Sequence, residues 1–160
     1  VWNLRGVNTA AAGDLIAATG FFIKAVNCDT ENPKYCAALA EHLMRRAMDH
    51  AAIDTWQRTI DLAPHNADYQ FTFAKCLARL GRHKEALPHF AEASHLDAEN
   101  GERVIAHGVA LSMAGHHSDA ITVLERAANS MARDATVVFH LGYVYQRAEK
   151  FDDAAEVYRT

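Results

Sequence analysis

Apolar and small residues recur along the chain at a fixed interval of 34 residues. One column of positions carries only alanine, and a second column, four residues further on, carries only large apolar residues. The first column is Ala18, Ala52, Ala86, Ala120 and Ala154, and the second is Phe22, Trp56, Phe90, Leu124 and Tyr158. Two antiparallel helices approach closely only where one carries a small side chain, and the bulky residue then fills the space against the next pair. The pattern therefore predicts stacked helix pairs, because one pair cannot bury its apolar face alone.

Helix caps and glycines occupy two further columns with the same spacing. The cap column is Asn32, Asn66, Asn100 and Asp134, and the glycine column is Gly13, Gly81 and Gly115. A short polar side chain caps a helix because its oxygen accepts a bond from an N–H of the first turn. Pro33 follows the first cap and suits the first helical position. The glycines predict helix ends in a left-handed turn.

These columns resemble the tetratricopeptide repeat, whose motif sets Trp, Leu, Gly, Tyr, Ala, Phe, Ala and Pro at fixed places in 34 residues. The matching residues include Trp2, Gly6, Ala18, Phe22; Leu39, Ala40, Ala52, Trp56, Pro64; Phe73, Ala74, Ala86, Phe90; Gly108, Leu111, Ala120, Leu124; and Leu141, Gly142, Tyr145, Ala154, Tyr158. The resemblance covers the whole chain. It implies an all-α, right-handed α-solenoid of about five helix-turn-helix repeats, with two helices in each repeat.

The resemblance also sets the expected domain organisation. The predicted repeats are residues 1–32, 33–66, 67–100, 101–134 and an incomplete 135–160. We expect them to form a single domain over residues 1–160, and we expect the chain to be a fragment of a longer protein, since it opens without a methionine and stops inside a helical pattern.

In this family the groove-lining residues stand at the second, fifth, sixth, ninth, twelfth and thirteenth places of each repeat, which share one stripe of a helix. The resemblance implies a concave partner-binding face made of Phe71, Lys75, Arg79, Ile105, Val109, Met113, Phe139, His140 and Tyr143. Their apolar side chains suit an extended or helical peptide laid along the groove. Their cations favour a peptide with acidic residues or a terminal carboxylate. The alternative for any one of them is contact with a neighbouring helix.

Chaperone-binding members of the family use a two-carboxylate clamp, and this chain does not match it. The clamp needs Lys and Asn at places five and nine of one repeat, Asn at place six of the next, and Lys and Arg at places two and six of the one after. The three registers give Asn3, Val7, Ala38, Asp68, Thr72; Ala37, Glu41, Thr72, Glu102, Ala106; and Phe71, Lys75, Ala106, Thr136, His140. We therefore expect no binding of heat-shock chaperone tails through such a clamp.

Composition and charge narrow the classes of partner. The formal charge of −4 gives no global basic field for nucleic acid or an anionic membrane, so we predict neither as a partner. No stretch reaches a bilayer-spanning length without a charge. The three cysteines are an odd number without a C-x-x-C pair, which favours reduced thiols and a cytoplasmic location.

The histidines are candidate catalytic or metal-binding residues, but their spacing does not bring them together at one site. His83 and His117 hold the same place in successive repeats, where the family usually has an aromatic residue, and this favours packing. His83, His89 and His95 are six residues apart, a spacing that rotates each away from the last on a helix. The chain has no phosphate loop, dinucleotide fingerprint or zincin motif. We predict no catalytic site, no metal and no cofactor.

The sequence thus predicts a non-catalytic protein–protein interaction module, a scaffold, adaptor or chaperone-like protein that holds a peptide or protein segment in its groove. Two alternatives stay open. Similar repeats occur in larger enzymes, beside glycosyltransferase, methyltransferase or phosphatase domains, and in bacterial secretion or pilus-assembly chaperones. The ends of a solenoid also offer a route to self-association through the terminal repeats.

Overall fold

The structure is a computed structural model that describes residues 1–130 and 134–159. Over these residues it contains ten α-helices and no strand. The helices are α1 Trp2–Ala11, α2 Leu15–Cys28, α3 Pro33–Arg45, α4 Asp49–Leu62, α5 Ala67–Arg79, α6 His83–Leu96, α7 Gly101–Met113, α8 His117–Ser130, α9 Ala135–Arg147 and α10 Phe151–Val157. This element order confirms the predicted all-α helical repeat.

Helix starts follow the 34-residue spacing of the sequence. The odd-numbered helices from α3 on begin at Pro33, Ala67, Gly101 and Ala135, and the even-numbered helices begin at Leu15, Asp49, His83, His117 and Phe151. His83 and His117 are thus the first residues of α6 and α8, a place that Phe151 takes in α10.

All four predicted caps are formed. The side-chain oxygens of Asn32, Asn66 and Asp134 accept backbone N–H bonds of 3.1, 3.1 and 2.7 Å, and that of Asn100 accepts a longer one of 3.4 Å. Each bond satisfies a donor that the first helical turn leaves without an intrahelical partner. The predicted helix starts are therefore confirmed at the level of single hydrogen bonds.

The turn between the two helices of each repeat is left-handed in all five repeats. Gly13, Gly81 and Gly115 have φ angles of +90°, +76° and +88°, as predicted. The same column holds Ala47 and Glu149 in the other two repeats, and these residues also have positive φ angles, +55° and +60°. Both carry a β-carbon in a conformation that disfavours one. The packing of the flanking helices therefore imposes the turn even where the sequence lacks glycine.

The two sequence columns form the core contact within each repeat. The five alanines of the first column are buried, and Phe22, Trp56, Phe90 and Leu124 are buried with them, whereas Tyr158 is 44% exposed. In the first, fourth and fifth repeats the large residue faces a glycine on the first helix of its own repeat. A β-carbon built on Gly108 would lie 2.7 Å from Leu124 Cγ, and one on Gly6 would lie 3.0 Å from the Phe22 ring. The bulky column therefore fills space inside its own repeat as well as against the next pair.

Contacts divide the chain into two compact units, Val1–Cys76 and Leu77–Thr160, with the division inside α5. The first unit has a core cluster that includes Phe22, Val26, Cys36, Leu39 and Leu43. The second has one that includes Val104, Leu124, Val137, Leu141 and Val144. A single domain over residues 1–160 stays a prediction, and its last residue, Thr160, lies outside the described residues.

Replacing Ala86 by leucine should destabilise the protein by roughly 1–3 kcal/mol, because a larger side chain overpacks a site that is fully buried. Urea unfolding followed by circular dichroism measures the change. The matched control is Ala135→Leu at an exposed position of α9, which should shift stability by less than about 0.5 kcal/mol. An unchanged midpoint for Ala86→Leu would mean that the repeat register is wrong.

Candidate partner-binding face

Two of the predicted groove residues, Phe71 and Lys75, lie on α5 in the first unit. Phe71 is only 9% exposed, and Lys75 Nζ lies 5.0 Å from the centroid of its ring. An ammonium group at this distance is attracted to the negative face of the ring. The pair therefore presents a cation at the surface, while most of the aromatic ring is withheld from solvent.

The other seven predicted residues lie in the second unit. Arg79 is exposed at the end of α5. The remaining six form what we call the α7–α9 face: Ile105, Val109 and Met113 on α7, and Phe139, His140 and Tyr143 on α9. Helices α7 and α9 contact each other directly.

Exposure differs across the α7–α9 face. Met113 is 51% exposed, Phe139 59% and Tyr143 38%. Val109 and His140 are half-buried, and Ile105 packs against the core of the second unit. Three large side chains on two adjacent helices are therefore open to solvent, whereas Ile105 is partly used for internal packing.

Helix α9 has apolar residues on two stripes, one buried and one exposed. Its inner stripe, Val137, Leu141 and Val144, is buried in the core of the second unit. Phe139 and Tyr143 are four residues apart on another stripe, which internal packing leaves exposed. The Phe139 ring lies 6.3 Å from the Tyr158 ring, yet Phe139 stays 59% exposed, so most of its surface is open to another contact.

Polar groups at the edge of the face can orient a bound segment. Arg147 Nη1 donates a long hydrogen bond of 3.5 Å to the hydroxyl of Tyr143. The ring of His140 stands edge-on to that of Phe139, with 5.5 Å between the centroids. Arg147 is exposed at the end of α9 and places a positive charge beside the apolar side chains. The arrangement can bind an apolar segment and attract a carboxylate at one end.

Sequence reasoning missed a buried polar cluster between α2 and α3, centred on His42. The ring is 0% exposed, and its Nε2 lies 2.9 Å from Thr19 Oγ1 and 3.0 Å from the Leu15 carbonyl oxygen. A signal was present, because the later repeats hold Cys76, Ala110 and Val144 in the column of His42, which are not polar, although the first repeat has Asn8 there. A polar residue in an apolar column predicts a buried hydrogen-bonded group.

Sequence reasoning also missed a cavity of about 470 Å³ between α8, α9 and α10. Its walls include Glu125, Tyr145, Asp153 and Glu156. The Tyr145 hydroxyl donates to Glu125 Oε1, and burial together with this carboxylate raises the pKa of Tyr145 well above its usual value. Within residues 1–130 and 134–159 no group of three or more His, Cys, Asp or Glu side chains is arranged to hold a metal ion.

Ten helices in the described residues, paired at a constant spacing around small and large columns, define an all-α helical-repeat protein. The chain belongs to the tetratricopeptide-repeat family, whose model matches residues 38–100 and 105–160. The fold of this family is typically a non-catalytic protein-interaction module. No helix in the part of the chain that the structure describes is both long and apolar enough to cross a bilayer.

Solved structures share this fold at low sequence identity. A crystal structure of MamA is 17% identical, with a TM-score of 0.82 over 96% of this chain and 84% of that one. The crystal structure of YrrB, described as a TPR protein with an unusual peptide-binding site, is 19% identical, with a TM-score of 0.81 over 98% and 80%. MamA 41-end from Desulfovibrio magneticus RS-1 is 14% identical, with a TM-score of 0.82 over 99% and 89%. No curated protein matches the sequence.

Proposed function

We propose that this protein is an interaction scaffold that holds a peptide segment of a partner protein against the α7–α9 face. The observation that carries the proposal is the exposure of Met113, Phe139 and Tyr143 on two helices in contact. Large apolar groups that internal packing does not need mark interaction sites. YrrB, a TPR protein with an unusual peptide-binding site, supports the same use of this fold.

The chemistry of the face defines the segment. Three apolar side chains call for a peptide with at least two aliphatic or aromatic residues on one side. Arg147, next to Tyr143, favours an acidic residue or a terminal carboxylate at the adjoining end. Peptides of this kind bind with about −8 kcal/mol, or micromolar affinity, because ordering the peptide offsets much of the burial.

Cys36 and Cys76 are buried in helices, as thiols that serve packing are, and we propose a reducing compartment such as the cytoplasm. The α7–α9 face offers recognition groups without a nucleophile aligned to a general base, so its chemistry is binding. We therefore propose a non-catalytic role for this face.

Replacing Met113, Phe139 and Tyr143 together by serine should weaken peptide binding roughly tenfold or more, because a few buried anchors supply most of the energy of such interfaces. A displayed library of peptides about 12 residues long, selected on the immobilised wild-type protein, supplies the probe. Fluorescence anisotropy of the labelled peptide then gives Kd for each variant. Helicity should be unchanged, since all three side chains are exposed.

The matched control is Ile16→Ser, which removes an exposed apolar side chain from α2, outside the α7–α9 face. It should leave Kd unchanged. Equal affinity of the triple-serine variant and the wild type would refute the assignment of this face, as would a loss of affinity in the Ile16 control as large as in the triple variant.

A further inference from the structure

The junction between α2 and α3 contains a cluster of polar groups that no part of the proposed function uses. His42 is completely buried at the last turn of α3. Its Nε2 faces the Thr19 hydroxyl and the Leu15 carbonyl of α2, at 2.9 and 3.0 Å. The ring also packs against Phe22, with 4.9 Å between the centroids. One imidazole therefore connects the second helix of the first repeat to the first helix of the second.

The hydrogen-bond partners determine which protonation state of His42 fits. Arg45 Nη2 lies 3.4 Å from Nδ1, and because a guanidinium can only donate, Nδ1 must accept. The proton of a neutral ring is then on Nε2, where the Leu15 carbonyl and Thr19 Oγ1 can accept it. Thr19 gives its own proton to the Leu15 carbonyl at 2.8 Å and accepts from Arg46 Nη1 at 2.7 Å. The neutral ring satisfies every group in the cluster.

A second proton on His42 would break this arrangement. It would occupy Nδ1, remove the acceptor of Arg45, and add a buried positive charge close to two guanidinium groups. In the described part of the chain the charged side chains that act on the ring are Arg45 and Arg46, and both are cationic. Helix α2 contributes the hydroxyl, the carbonyl and the Phe22 ring, while Asp14, its N-cap, is directed to the backbone N–H of Ala17.

Burial is the largest influence on His42 and lowers its pKa below the usual histidine value. The two arginines act in the same direction, and the Leu15 carbonyl opposes them. In the unfolded chain the group takes up its proton at about pH 6.5. The unfolded state therefore binds more protons just below that pH, so the stabilisation is complete above about pH 6.5 and is lost as the pH falls through the folded-state value.

We propose that His42 makes the α2–α3 junction an acid-sensitive joint, which releases the first helix pair from α3 when the ring is protonated. The apolar residues packed across this junction include Ala18, Phe22 and Val26 from α2 and Cys36, Leu39 and Leu43 from α3. Release would expose these side chains to solvent. Acidification would thereby uncover an apolar surface in the first unit through a single buried titratable group.

Amide hydrogen exchange on the intact chain tests the joint. Exchange rates, corrected for their intrinsic pH dependence, are compared at about pH 7.5 and about pH 5. Protection of α1 and α2 should fall by roughly tenfold or more at the lower pH. In His42→Gln, which carries an amide donor and does not titrate, the protection of α1 and α2 should be the same at both pH values.

His50→Gln is the matched control, because His50 is an exposed histidine of the same unit. In this variant the protection of α1 and α2 should fall at low pH as much as it does in the wild type. Arg45→Gln removes one cation and the donor to Nδ1, so the midpoint of acid loss should move to higher pH. The NMR titration of the His42 ring should move with it. If His42→Gln does not fold, Arg45→Gln decides the test. The proposal would be overturned if the protection of α1 and α2 in the wild type did not change with pH. It would also be overturned if protection still fell at low pH in His42→Gln, or if the pH midpoint of this fall were the same in Arg45→Gln as in the wild type.

Discussion

Replacing Trp56 by alanine should lower the free energy of unfolding by about 3–5 kcal/mol. The side chain is 0% exposed and stacks on Phe73, with 6.5 Å between the ring centroids. It also lies 6.4 Å from the Tyr69 ring, and its Nε1 donates to Met44 Sδ at 3.1 Å. Alanine would leave a cavity lined by groups from α3 and α5, which the surrounding helices fill only in part.

Urea unfolding followed by far-ultraviolet circular dichroism measures this effect without relying on tryptophan fluorescence. Phe139→Ala is the matched aromatic control, because that ring is more than half exposed, and its loss should change stability by less than about 1 kcal/mol. Similar losses for the two variants would mean that the large-residue column is not the core column of the repeat.

Leu124→Ala should destabilise the protein by about 2–5 kcal/mol, because it leaves a cavity in the core of the second unit. Leu124 is fully buried above Gly108, where a β-carbon would come within 2.7 Å of its Cγ. Gly108→Ala alone should therefore also destabilise, by roughly 1–3 kcal/mol, through overpacking. The two positions should be strongly coupled, since the atom that obstructs the alanine at 108 is absent from Leu124→Ala.

A double-mutant cycle in urea measures that coupling. Gly108→Ala should be far less destabilising in the Leu124→Ala background than in the wild type. Gly20→Ala is the control, because no side chain or remote backbone atom lies within 4 Å of its would-be β-carbon. It should stabilise α2 by about 0.5–1 kcal/mol through helix propensity. Additive effects at positions 108 and 124 would contradict the close contact between α7 and α8.

Helix starts and core columns could be predicted from the sequence because both depend on local chemistry. Asn32 and Asp134 cap through their own side chains, and Gly13 and Gly115 adopt a conformation that glycine favours. The turns at Ala47 and Glu149 could not be predicted this way, since neither residue prefers a positive φ. Their conformation comes from the packing of the helices on either side, which no local pattern encodes.

The exposure of the candidate site residues could not be predicted from the sequence. The repeat spacing shows which face of a helix a residue lies on, but it does not show how much of the side chain reaches solvent. Phe71 and Phe139 hold the same place in the repeat, yet the first is mostly buried and the second mostly exposed. Side chains around each ring decide the difference, and one of them is Lys75, which lies over Phe71. The cluster at His42 depends likewise on partners 23 and 27 residues away in the sequence.

NMR mapping of a selected peptide on the isotope-labelled protein tests the proposed binding face most directly. Titration with the peptide should shift the methyl signal of Met113 and the ring signals of Phe139 and Tyr143, and should leave those of Ile16 in place. Shifts confined to the cavity beside Glu125, Asp153 and Glu156, with the three signals of the α7–α9 face unmoved, would contradict the account.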